Sequence, residues 1–435
     1  MRIQDHIPTI SWTLLDKSLF ILFGFVQILI INYTNIQEYA LYSLLIFIHS
    51  WISIVSDSFS LQMIIQFGIN EKHRNYVNTI SLFTHILVTT TLSLAIFFLS
   101  NQFAVIFNEK RIAEISLFLP LLSISSIPKS FSQKIMYRQQ KMLFVFLSNL
   151  SFFGSITVFI VYSIINNSYL NYELLSKYYL YGTLLCSLFS IFLVLKHLKF
   201  SIKGNIKISD IISFSAKMTT INILNSIPRN IEPFIIKLFF SLEIVGLYSA
   251  AKNLYRLFDE ALNAFYGIIY PATVKHINSQ NYLQLEKLTK KSISFVFFGF
   301  VFLAIIIISP LGYFVLEVIF PIQYVKSINY LTIFLISVPF LSFVIFYSLL
   351  TASNKLKNVF FGVISANISF LVILLMICNN NNPALIPFGL VTYNVVLGLF
   401  GLYYGIKIYN YKFNSLIVAL PDSYNFIKQK IKGAK

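Results

Sequence analysis

From Ile293 to Ile308 the chain reads ISFVFFGFVFLAIIII, sixteen residues without a charge. The run continues to residue 319 with one carboxylate, Glu317. A helix rises 1.5 Å per residue, so about 20 apolar residues cross the ~30 Å hydrocarbon core of a bilayer. Residues 292–319 therefore read as a membrane span. Working outward, eleven further stretches read the same way, near 11–33, 39–67, 77–99, 114–133, 142–165, 177–195, 210–240, 246–272, 328–352, 358–378 and 385–408. Over the 435 residues, 57% are hydrophobic and 11% charged, and mean hydropathy is +0.75. A soluble chain of this size needs a charged exterior, and this one has too little charge to make it. The sequence predicts an all-α polytopic membrane protein of about 12 transmembrane helices. The longest break between spans, Lys275–Lys291, is too short for a soluble domain.

The charges between the spans predict orientation. With the N-terminus cytoplasmic, twenty-two Lys and Arg fall on the cytoplasmic side and only Lys110, Arg111, Lys177 and Lys326 outside. That is the bias of the positive-inside rule, and it places both termini in the cytoplasm. The net charge of +17 is then a topology signal. Basic loops separated by hairpins make no continuous groove for a phosphate backbone, so no nucleic acid is expected. The first span lacks a small-residue cleavage site, so no cleaved signal peptide is expected. Cys186 and Cys378 read as buried free thiols. No phosphate-binding glycine loop, metal-binding His pair or Ser–His arrangement is present, so no metal or cofactor is expected beyond a coupled H+ or Na+.

Ala40-Leu41-Tyr42-Ser43 opens the second span, and Gly246-Leu247-Tyr248-Ser249 opens the eighth. The same offset superposes the first span on the seventh. Two six-helix units with equal starting orientation are related by an axis along the membrane normal, a transporter arrangement. The lobes are expected at 1–195 and 210–408, joined by a cytoplasmic linker at 196–209 and followed by a tail at 409–435. In the tail, Lys residues alternate with Phe413, Leu416, Ile417, Leu420, Phe426, Ile427 and Ile431, which reads as an amphipathic helix on the anionic leaflet.

The stretch Glu243-Ile-Val-Gly-Leu-Tyr-Ser-Ala-Ala-Lys-Asn-Leu-Tyr, with Tyr270-Pro271-Ala272-Thr273, resembles the eighth helix of Wzx-type O-antigen and polysaccharide flippases. These belong to the multidrug/oligosaccharidyl-lipid/polysaccharide exporter superfamily. The resemblance extends to length, span number and topology, but the chain lacks the two extra helices usual in lipid II flippases. It implies a MATE-like fold in which two lobes enclose a V-shaped central cavity that opens alternately to either face. It implies as cargo an undecaprenyl-pyrophosphate-linked oligosaccharide, flipped to the outer leaflet of the bacterial inner membrane. A polysaccharide polymerase and a chain-length regulator are the implied protein partners.

Charges inside a membrane are expensive, so those present are functional candidates. In the seventh span Asn222, Asn225, Arg229 and Glu232 follow one helical face, with Pro228 and Pro233 beside Arg229 predicting a kink. In the eighth, Lys252, Arg256, Asp259 and Asn263 share a face, with Glu260 alongside. Arg229, Lys252, Arg256 and Lys17 are candidate cavity cations for a pyrophosphate. Glu232, Asp259, Glu260, Asn222, Asn225 and Asn263 are candidate acidic and polar lining. The competing reading is internal ion pairing, for which Arg256 with Asp259 or Glu260 has the right spacing. In the first lobe Asp57, among Ser53, Ser56, Ser58 and Ser60, and Asp16 are candidate ion-coupling carboxylates. His49 and His85, each alone on an apolar helix, read as packed residues. Two other classes compete: an organic-cation antiporter of the same fold, which would want an acidic and aromatic cavity, and a membrane glycosyltransferase or polymerase, which would want a sizeable extramembrane loop.

Overall fold

The computed structural model describes residues 7–415, apart from 69–70, 205, 354 and 413. All regular structure among the described residues is helical. The tail from residue 416 onward, where most of the expected amphipathic helix falls, lies outside them. Packing divides the chain between Ala250 and Ala251 into two compact units.

The first unit holds α1 (Ile7–Asn32), α2 (Ile36–Gln66), α3 (Glu71–Phe98), a short α4 (Ser100–Ile106), α5 (Arg111–Arg138), α6 (Met142–Ile165) and α7 (Tyr172–Val194). The seventh span follows as α8 (Ile208–Ser226), a π-turn at Ile227–Ile231 and α9 (Glu232–Phe239). Two Asn caps set helix starts: the side chains of Asn35 and Asn171 accept from the amides of Gln37 and Leu174. Helices α5, α6 and α7 pack together, α1 lies on α6, and α3 on α5. Leu61, Ile64, Phe131, Ile135, Met136 and Val145 form a buried apolar cluster among α2, α5 and α6. The seventh span lies against α2, so packing groups it with the first six helices. The lobes expected from the repeat place it with the last six.

Helix α10 (Leu242–Asn278) begins in the first unit and continues into the second. The second unit adds α11 (Tyr282–Ile308), α12 (Pro310–Ile319), α13 (Lys326–Leu335), α14 (Val338–Ala352), α15 (Leu356–Asn379) and α16 (Phe388–Tyr409). Helices α15 and α16 pair closely, and α14 packs on α11 and α16. A Cβ on Gly398 would stand 2.4 Å from the Phe340 carbonyl, so glycine there lets the two backbones meet.

Among the described residues nine helices are long and apolar enough to cross a membrane, and α13 with α14 make a tenth, bent by 45°. The other two of the expected twelve, the seventh span and α10, have the length but carry several charged residues and do not count among them. The protein is a multi-pass membrane protein. One expectation changes: the break read at Lys275–Lys291 is helical except at 279–281. Its residues are good helix formers, with Glu286 and Lys290 paired one turn apart, so α10 and α11 run on as rods. The span read at 292–319 in turn breaks at Ser309–Pro310, where the Ser309 side chain caps α12.

Candidate functional site

In the first unit the intramembrane polar groups centre on α2. Its serines bond back onto their own helix: Ser53 Oγ donates to the His49 carbonyl at 3.0 Å, Ser58 Oγ to Ile54 at 2.6 Å, and Ser60 Oγ to Ser56. Such bonds compete with the helical ladder, and the chain opens into a π-turn at Asp57–Leu61. Asp57 starts that turn. Its Oδ1 lies 3.8 Å from Nε2 of His85 on α3, whose Nδ1 is 2.9 Å from Ser60 Oγ. Asn222 of α8 donates to Ser58 Oγ at 2.8 Å.

Asp16 is closed off from solvent and accepts from Asn149 Nδ2 at 2.7 Å. Asn149 accepts from Gln133 at 2.8 Å, and Gln133 also reaches Ser148, which meets Ser190 at 2.6 Å. A chain of side-chain bonds thus runs from α1 through α6 and α5 to α7. Lys17, next in sequence to Asp16, sits 4.9 Å from the centre of the Phe20 ring. Lys129 of α5 stands 3.6 Å above the ring of Phe152, and its charge acts on both Asp16 and Asp57. It was not among the sequence candidates; the signal was a lysine directly after Pro128 inside an apolar span.

The seventh span departs from its sequence reading. Pro228 and Pro233 each remove a backbone donor, and the π-turn between them shifts the helical register. Arg229 is exposed, whereas Glu232 is fully buried and accepts from the Tyr248 hydroxyl. The four residues expected on one face therefore do not keep one environment. Asn225 is half-buried. Lys237 donates to the Phe107 carbonyl at 2.8 Å. Beside it an apolar cavity of about 320 Å³ is lined by Trp51, Phe107, Leu119 and Phe234, among others. Its walls suit hydrocarbon and not an ion.

In the second unit Lys252 is buried at 3% exposure, Arg256 is half exposed, Asp259 and Glu260 are partly buried, and Asn263 is exposed. Arg256 approaches Glu260 to 4.0 Å, a loose pair that leaves the guanidinium open to other acceptors. On the next face Tyr255 is buried, with its hydroxyl 2.8 Å from Ser337 and accepting from Asn394 at 2.9 Å. Among the described residues no group of three His, Cys, Asp or Glu side chains could hold a metal ion.

This arrangement, apolar helices carrying buried carboxylates and cations, defines the class as a polytopic helical membrane protein. Residues 35–329 match the family model described as polysaccharide biosynthesis protein, and the chain belongs to that family. No curated protein matches it. Its fold is shared with an inward-facing multidrug resistance MATE family transporter of the MOP superfamily (TM-score 0.74, 12% identity, covering 91% of this chain and 94% of that one). It is shared also with the lipid II flippase MurJ in an inward closed conformation (TM-score 0.68, 12% identity, 95% and 91%). A third similar structure is a MOP superfamily transporter from Pyrococcus furiosus Vc1 (TM-score 0.66, 11% identity, 92% and 94%).

Proposed function

We propose that this protein is a flippase, not an enzyme, that moves an undecaprenyl-pyrophosphate-linked oligosaccharide from the cytoplasmic to the outer leaflet by alternating access. The observation that carries the reading is a polysaccharide-biosynthesis family match over residues 35–329 on a fold shared with a lipid II flippase. The protein sits in the inner membrane with both termini cytoplasmic, supplying a polymerase and its chain-length regulator. Arg229, exposed, and Arg256, half exposed, are each assigned as a cation for phosphate oxygens on its own unit, since the guanidinium fork matches them bidentately. Buried Lys252 and partly exposed Lys17 add positive field, and the acidic and amide groups of each span hold its own cations between cargoes.

The test is complementation of a flippase-deficient strain whose repeat unit matches this protein's own. Surface polysaccharide is scored at equal expression for wild type, Arg229→Ala and Arg256→Ala. Restoration by wild type with loss in either variant supports the reading. Full activity in both variants returns the arginines to structural pairing. If wild type instead confers drug resistance and no polysaccharide, the organic-cation antiporter is the better reading.

A further inference from the structure

We propose that Asp57 and His85 together form a site that binds one proton. The Ser56 carbonyl only accepts, so the single Ser60 hydroxyl proton points at it. Ser60 Oγ must then accept from the His85 nitrogen 2.9 Å away, which fixes hydrogen on Nδ1. The Ser56 carbonyl also meets the imidazole as an acceptor, which favours the same tautomer. A neutral His85 therefore turns an unprotonated Nε2 toward Asp57 Oδ1 at 3.8 Å, and neither of these buried atoms has a hydrogen-bond partner. With Asp57 ionised, two lone pairs face each other across that gap. One added proton, on either the carboxylate or Nε2, turns the opposition into a donor–acceptor pair. The Asp57 side chain is 28% exposed and His85 2%, so the carboxylate is the end at which a proton enters.

The charges facing the pair are few. From α5 come Lys134, whose charge reaches His85, and Lys129, whose charge reaches Asp57. From α8 comes Asn222 through Ser58, while the ionisable Lys217 and Asp210 of that helix are exposed. The other ionisable groups of α2, Glu38, Tyr39, Tyr42 and His49, lie two or more turns away along the helix. With an imidazole lone pair as the carboxylate's neighbour and no ring of oxygens, the site suits a proton and not Na+. The seat is on a π-turn that α8 grips at Ser58, so a proton added here acts where the seventh span meets α2. Use of the site for coupling rests on the transport reading above; proton binding itself does not.

The experiment is infrared difference spectroscopy of the full-length protein in lipid bilayers, titrated between about pH 5 and 8, where an imidazole changes charge. Wild type is expected to show one step joining a carboxyl and an imidazole signal. Asp57→Asn removes it, and His85→Gln removes it or moves it by about one pH unit or more, as coupled groups require. Ser60→Ala, the mildest change, removes one of the two acceptors that hold hydrogen on Nδ1, so His85 more readily places it on Nε2 and meets the ionised Asp57 without an extra proton. The step then falls to lower pH, and this variant keeps the test open should the others fail to fold. A step unmoved by both His85→Gln and Ser60→Ala overturns the proposal, as does a carboxyl signal that answers to Na+ at fixed pH as strongly as to protons. The readout needs no cargo, so its failure leaves the flippase reading standing, and failed complementation leaves the titration intact.

Discussion

The Tyr248 hydroxyl donates to the carboxylate of Glu232, and both residues are closed off from solvent. Tyr42, at the matching place in the first tetrapeptide, has Gln27 of α1 as its side-chain neighbour. The tyrosine of each tetrapeptide thus faces the preceding span, an amide in one case and a carboxylate in the other.

Removing the donor from a buried carboxylate is expensive, because the acceptor stays behind. Tyr248→Phe should destabilise the protein by about 1–3 kcal/mol. Glu232→Gln, which keeps an acceptor and drops the charge, should cost less. Thermal unfolding of the detergent-purified protein compares them; a Tyr248→Phe variant that melts with wild type would show that the hydroxyl contributes nothing.

Gly246 begins the second tetrapeptide, and a Cβ there would stand 2.4 Å from the carbonyl oxygen of Ile36. The obstacle is backbone, which cannot swing aside as a side chain can. Gly246→Val should force the start of α10 away from α2 and cost about 1–3 kcal/mol, as overpacking does. Ala40→Val at the repeat-related position is the natural comparison. Equal expression and melting for Gly246→Val and wild type would show that the two helix starts part freely.

The helices and their order were legible in the sequence because apolar length and charge placement leave few alternatives for a chain in lipid. The candidate site was less so. Placing Asn222, Asn225, Arg229 and Glu232 on one face assumed a constant 3.6 residues per turn, and the π-turn at Ile227–Ile231 breaks that assumption. His85 looked isolated on α3 because its partners, Asp57 and Ser60, belong to another helix. Asn149 and Gln133 carry no charge, so nothing in a charge count marks them as the residues that hold Asp16. The break read at 275–291 came from equating polar with irregular, although Glu and Lys at i, i+4 extend a helix past the membrane.

The Asp16–Asn149 bond offers a clean cycle. Asn149→Leu removes an amide donor from a fully buried carboxylate, and the loss should be about 1–3 kcal/mol or more, as for a charged group. Asp16→Asn should be milder, and adding it to Asn149→Leu should recover part of the loss. A coupling between the two changes of about 0.5–3 kcal/mol, read from unfolding midpoints of the four proteins, is the expected result. Strict additivity would mean that the 2.7 Å contact carries no stability.

Outside the spans, Glu109 accepts from Arg111 Nε at 2.9 Å, and Arg111 also reaches Glu38 at 3.4 Å. The Arg111 hydrogen bond holds the Glu109 carboxyl below its usual range. A carboxyl held lower in the folded state stabilises that state above its unfolded value, and the gain disappears as pH falls through the folded value. Because the Glu109–Arg111 pair stays in partial contact with water, the gain is small, below about 1 kcal/mol, and screened by salt. The unfolding midpoint of wild type should therefore fall more steeply than that of Glu109→Gln as pH drops below about 4, and the two curves should run parallel near neutrality. Intrinsic tryptophan fluorescence at low salt follows both. A Glu109→Gln protein with the wild-type acid slope would show that the Glu109–Arg111 bond adds nothing to stability.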